Sequence, residues 1–69
     1  MKKVLYRALV NGKESYNLPK ELPIPRKGDY IFINDENLKS ELVCEVNYVG
    51  YHLDSKGELI TITVKCTES

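Results

Sequence analysis

Tryptophan is absent from this chain, phenylalanine, histidine and methionine occur once each, and cysteine only twice. One histidine and two cysteines cannot by themselves fill the four positions of a structural zinc centre. Charge of a dominant sign is missing too, because ten basic residues are matched by ten acidic ones. Strong non-specific attraction to nucleic acid usually shows as a basic excess, and the total carries none. No apolar stretch approaches the ~20 residues of a membrane span. The start Met1-Lys2-Lys3 is followed by VLYRALV, which Arg7 interrupts and Asn11-Gly12 ends. That run is too short and too polar for a signal-peptide core. These absences give a cytoplasmic protein without membrane contact as the expectation, and the low cysteine count agrees with it.

What is present describes one small globular domain over residues 1–69, with 42% apolar and 29% charged residues. A chain of this length hides about 60% of the surface its unfolded form exposes, so its core is thin but sufficient. The apolar pattern is period two nearly throughout, and β-branched and aromatic residues dominate it, which are strand signals.

A first strand is expected over 3–10 (KVLYRALV), and Asn11-Gly12 suits the positive φ angles of a tight hairpin turn into a short strand at 13–17. The segment LPKELPIPRKG (18–28) contains all three prolines, which remove backbone donors and favour extended geometry. It reads as an arm laid on the sheet and anchored by Leu18, Leu22 and Ile24. Gly28-Asp29 turns the chain into a strand at 30–34, and NDENLKS (34–40) is a loop or one helical turn. A long strand at 41–53, a turn at 54–57 and a strand at 58–66 complete the chain.

If Asp54–Gly57 is a type I turn with Gly57 left-handed, Leu53 faces Leu59, Tyr48 faces Val64 and Val46 faces Cys66. One face then collects Leu42, Cys44, Val46 and Tyr48 with Ile60, Ile62, Val64 and Cys66. A one-residue slip would destroy that separation. Gly50 falls opposite Ile62 and marks a bend in the long strand. The expected architecture is all-β, a small five-stranded antiparallel barrel with an extended proline-containing arm.

PIPRKGDYIFI (23–33), with LVCEVNYV (42–49) and LITITVKC (59–66), resembles the scaffold of SH3-like small barrels, as in short phage and bacterial proteins. In those folds a Gly-Asp pair opens a strand of alternating form, here Tyr30-Ile31-Phe32-Ile33. The resemblance implies Ile31 and Ile33 inward, with Tyr30 and Phe32 outward. The ribosomal version of that barrel has another glycine after this strand, which 34–40 lacks.

Cys44 and Cys66 fall on neighbouring strands, same face, diagonal to each other. Diagonal side chains lie about 7–8 Å apart, beyond an unstrained disulfide, so two buried core thiols are expected. His52 has no Ser or Cys with a supporting acid beside it and reads as an exposed hairpin residue. Asp29 and Asp54 are explained as turn residues. Asp35-Glu36-Asn37 lacks the spacing and glycine of a calcium loop. Neither catalysis, a metal nor a cofactor is expected.

By parity Tyr30 and Phe32, and Val49, Tyr51 and Leu53, lie opposite the core face. These five are too apolar for a freely solvated surface, so either the bend and the arm cover them or a partner does. The expected function is a non-catalytic protein-interaction module that binds a protein partner, a host protein among them, or a second copy through Tyr30, Phe32, Val49, Tyr51 and Leu53. The alternative is a small nucleic-acid-binding barrel using Arg26, Lys27 and Lys20 with tyrosine stacking.

Overall fold

A computed structural model describes residues 3–35 and 40–69. Five strands follow in chain order: β1 (Leu5–Val10), β2 (Glu14–Asn17), β3 (Tyr30–Asp35), β4 (Ser40–Leu53) and β5 (Leu59–Glu68). They form a single curled sheet of order β2-β1-β5-β4-β3. The all-β expectation stands, but the sheet is mixed rather than antiparallel, because β1 runs parallel to β5. It is also a half-barrel rather than a closed one: the order ends on β2 and β3, which do not pair with each other among the described residues. Glu36 and Asn37 of the 34–40 segment lie outside the described residues, whereas Asp35 continues β3 opposite Ser40.

Local chemistry accounts for the turns. Asn11 and Gly12 both take positive φ (55° and 70°), and the Lys13 N–H donates to the Val10 carbonyl at 3.0 Å, closing the β1–β2 hairpin. Gly57 sits at φ 83° and donates to the Asp54 carbonyl, while the Asp54 N–H donates to the Glu58 carbonyl. The Asp54 carboxylate accepts from the N–H groups of Lys56 and Glu58 at 2.8 and 2.9 Å. This is the type I turn with its bulge that the glycine position implied. At 26–29 the Asp29 carboxylate likewise accepts from the Arg26 N–H at 2.8 Å.

The core lies on one face of the sheet. Tyr6, Ala8 and Val10 of β1 align with Ile62, Val64 and Cys66 of β5, and Leu42, Cys44 and Val46 of β4 complete it. Ile31 and Ile33 pack on it from β3, as the resemblance implied. Val46, Val64 and Cys44 have no exposed surface, and full burial of a valine is worth about 1.5–3 kcal/mol. The arm covers part of this face. Leu18 donates its N–H to the Tyr6 carbonyl at 2.9 Å, Leu22 packs on the core, and the Tyr6 hydroxyl donates to the Pro23 carbonyl at 3.3 Å. Ile24 is no anchor, since it is exposed.

The hairpin register departs from strict alternation in two places. Val46 pairs with Cys66 and Leu53 with Leu59, as expected, but Tyr48 pairs with Lys65 and Val49 with Val64. Asn47 is an extra residue on β4, and Ile60 is a compensating extra residue on β5. Each bulge reverses the side-chain parity beyond it. Tyr48 is therefore turned out, 57% exposed, and Val49 is turned in against the core. Ile60 is displaced to 45% exposure. Gly50 pairs with Thr63 rather than Ile62, so the register shift falls at Asn47 and not at the glycine.

Gly57 has open space around a built Cβ, so the cost of a side chain there is confined to its backbone. Gly57→Ala should destabilise the fold by about 1–2 kcal/mol. The melting temperature should drop by roughly 4–8 °C for each kcal/mol lost, whereas Ser55→Ala, in the same turn, should leave it within a degree or two.

Candidate functional site

The five apolar residues expected to share one surface are divided by the fold. Tyr30 and Phe32 stand on the outer face at the β3 edge, 58% and 64% exposed, with Phe32 opposite Val43. Val49 belongs to the core floor instead. Tyr51 and Leu53 follow Val49 on the same side of β4 and are exposed, opposite Ile62 and Leu59. The arm lies over Tyr6 and covers neither pair.

The exposure of Tyr51 and Leu53 follows from where neighbouring strands stop. β1 begins with Leu5 opposite Thr61, so the hairpin tip runs past it. On the other side β3 pairs with β4 only from Ser40 to Glu45, the Val46 bonds to Gly28 and Asp29 adding one step. Residues beyond these limits form a two-stranded ribbon, consistent with a molecule 41 Å long and 22–23 Å across.

Where the ribbon leaves the sheet, the core face opens into a cleft of about 340 Å³ lined by Val4, Tyr6, Lys20, Leu59 and Ile62. Four of the five are apolar and Lys20 is the sole charge among them. Burial, and then the Tyr51 phenol beside it, hold the Tyr6 hydroxyl above the ordinary tyrosine range. The cleft is thus an uncovered continuation of the core, and the exposed Tyr51 and Leu53 are the β4 partners of its lining residues Ile62 and Leu59. In the sequence Val4 and Tyr6 fall within the first expected strand, Leu59 opposite Leu53, and only Ile62 on the expected core face. The parallel pairing of β1 with β5 and the bulge at Ile60, which gives Leu59 the inward place, bring them together.

Of the three basic residues, Lys20 lines this cleft, while Arg26 and Lys27 ride on the turn bound to Val46 through Gly28 and Asp29. The cleft does not gather them. His52 is exposed opposite Thr61 on the outer face. Thr63, on that face, is nonetheless buried, and its hydroxyl accepts from Arg7 Nε at 3.3 Å.

Cys44 and Cys66 are free and buried, and they are diagonal because Val46 faces Cys66 while Cys44 faces Glu68. Burial first, and Glu68 and Glu14 second, raise the Cys44 thiol. Burial, with Cys44 beside it, pushes Cys66 up to about 11. A thiol needs its thiolate to act as a nucleophile, and this pair is held protonated. Comparison with protein-family models, with curated proteins and with solved structures finds no match to this chain.

The raised thiols set a direction for stability against pH. Between the ordinary thiol value of 9.0 and about 11, the unfolded chain has lost the Cys66 proton and the folded chain keeps it. The unfolded state then binds fewer protons, so the unfolding free energy falls as pH rises across that window. Urea titrations should show this fall, and Cys66→Ala should show less of it than the parent chain. Iodoacetamide should modify neither cysteine in the folded protein within the time that completes both reactions in denaturant.

Proposed function

We propose that this chain is a non-catalytic protein-interaction module that takes an apolar segment of a partner protein into the cleft at the root of the β4–β5 ribbon. One observation carries the reading: the core face continues past the arm as an open cleft lined by Val4, Tyr6, Leu59 and Ile62, and the β4 partners of the last two, Tyr51 and Leu53, are exposed. A sheet face of this composition left in water is unfavourable by about 25 cal/mol for each Å² of apolar surface. Exposed apolar surface with tyrosine at its edge is typical of interaction sites. Lys20 gives the site one fixed charge and selects a carboxylate near the apolar anchor. The likeness of 23–33 to SH3-like barrels belongs to the same proposal, since small barrels of that type commonly serve as binding modules. Nucleic-acid binding has less support, because the cleft lining includes Lys20 but neither Arg26 nor Lys27, and no basic excess compensates.

The test is a selection from a random peptide library displayed on phage. Enriched peptides should share a large apolar residue with a nearby Asp or Glu. Their amide chemical-shift changes should centre on Tyr6, Tyr51, Leu53, Leu59 and Ile62. Tyr51→Glu and Leu53→Glu should keep the fold and weaken binding at least tenfold. Absence of enrichment, or shifts centred elsewhere, would overturn the reading, as would unfolding of both variants, which would make these residues core.

A further inference from the structure

The two edges of the sheet are unlike. β2 is four residues long and carries Glu14, Ser15 and Asn17, a short and polar edge of the kind that discourages pairing. β3 is six residues long, begins Tyr-Ile-Phe-Ile, and has no lysine, proline or glycine within it. Its pairing with β4 has no bulge, and its one charge, Asp35, stands at its end.

The hydrogen bonds fix which backbone groups β3 leaves open. Val46 donates its N–H to the Asp29 carbonyl at 2.8 Å. Stepping by two along the ladder, Ile31 with Cys44 and Ile33 with Leu42 are the bonded pairs. The next strand confirms the phase: Ser69 donates to the Val43 carbonyl at 2.9 Å, so Val43 points its backbone at the chain end beside β5 and not at β3. The N–H and C=O groups of Tyr30, Phe32 and Asn34 therefore point away from β4, and no described residue takes them up through the backbone.

We infer that β3 pairs with β3 of a second copy of this chain, antiparallel about a two-fold axis perpendicular to the sheet and centred on Phe32. The open backbone groups select this register. Such an axis keeps the outer faces on one side, so residues of like parity must face each other. Centring on Ile31 or Ile33 sets Asn34 or Tyr30 beyond the end of the partner's β3, so that only two of the three open residues are bonded. Centring on Phe32 faces Phe32 with its own copy and Tyr30 with the partner's Asn34. All three open N–H groups and all three open carbonyls on each copy are then bonded across the axis. On the outer face the exposed ring of Phe32 meets its symmetry mate with Tyr30 alongside, and aromatic cross-strand pairs add to such a contact. On the inner face Ile31 meets the partner's Ile33, and both are only half-buried in one copy. One edge strand covers less area than a standard interface, so the association belongs to the weak class.

This surface is separate from the cleft, and the experiment keeps the two apart. Sedimentation over concentrations from about 10 µM to about 1 mM should show a monomer passing to a dimer, as expected for a weak interface. Phe32→Glu, which sets two carboxylates against each other on the axis, should abolish the dimer, while Tyr51→Glu should leave it unchanged. Under mild oxidation Phe32→Cys should yield a covalent dimer, because the paired Cα atoms lie about 5.5 Å apart. Asn34→Cys should not, since its copy is displaced along the strand. A monomer throughout, a dimer that survives Phe32→Glu, or cross-linking of Asn34→Cys equal to that of Phe32→Cys would overturn the inference.

Discussion

The extra residue at Asn47 is the constraint on which the rest of the sheet depends. Up to Val46, β4 obeys period two and sends Leu42, Cys44 and Val46 into the core. Continued unchanged, that alternation would bury Tyr48 and turn Val49 and Tyr51 to the far side. The bulge reverses it, so Val49 joins the core and the smaller side chain fills the place opposite Val64. Its own side chain is held, with Asn47 Nδ2 donating to Thr67 Oγ1 at 2.6 Å. The second extra residue at Ile60 restores the register in time for the 54–57 turn to close on Leu53 and Leu59. Two bulges of opposite sense thus let one long hairpin serve both as core wall and as projecting ribbon.

The centre of the sheet is β5, and its position explains the burial of a polar residue. With β1 parallel on one side and β4 antiparallel on the other, β5 is flanked on both edges. Strands in parallel pairing are normally covered on both faces, and here Arg7 helps to cover the second. It supplies the hydrogen bond that a buried Thr63 hydroxyl requires. Gly50, on the other side of Thr63, contributes no side chain, and a built Cβ there would meet only the Thr63 carbonyl at 3.9 Å. Its value is therefore not close packing.

Turn chemistry was the most legible part of the sequence. Asn11-Gly12, Gly28-Asp29 and Asp54–Gly57 each announce a backbone that few other residues adopt, and each forms the turn it announces. The diagonal relation of Cys44 and Cys66 was readable as well, because both lie on the chain-end side of the Asn47 bulge, where alternation holds. What could not be read was the parity beyond that bulge. Asn47 is the only local signal, a polar residue between apolar ones, and period two gives it the same appearance as any outward residue. The parallel pairing of β1 with β5 was hidden for another reason. Nothing in either strand records which partner it meets 56 positions away, as Arg7 and Thr63 do. The cleft inherits both gaps, since it needs β1 beside β5 and Leu59 in the inward place.

The same break in β4 separates the two surfaces that remain apolar. β3 occupies the Ser40–Glu45 part of the strand, whereas Tyr51 and Leu53 stand near its other end. At 3.2–3.4 Å per residue, the eight positions from Glu45 to Leu53 span about 26 Å. Pairing along β3 and occupation of the cleft therefore need not compete. A chain joined at β3 would carry two clefts, one at each end of a continuous sheet, and a partner with two suitable segments would gain from the raised effective concentration of the second. Such self-pairing would have a physical consequence beyond itself: occupancy of the cleft by a divalent partner would depend on the chain's own concentration, while that by a single segment would not.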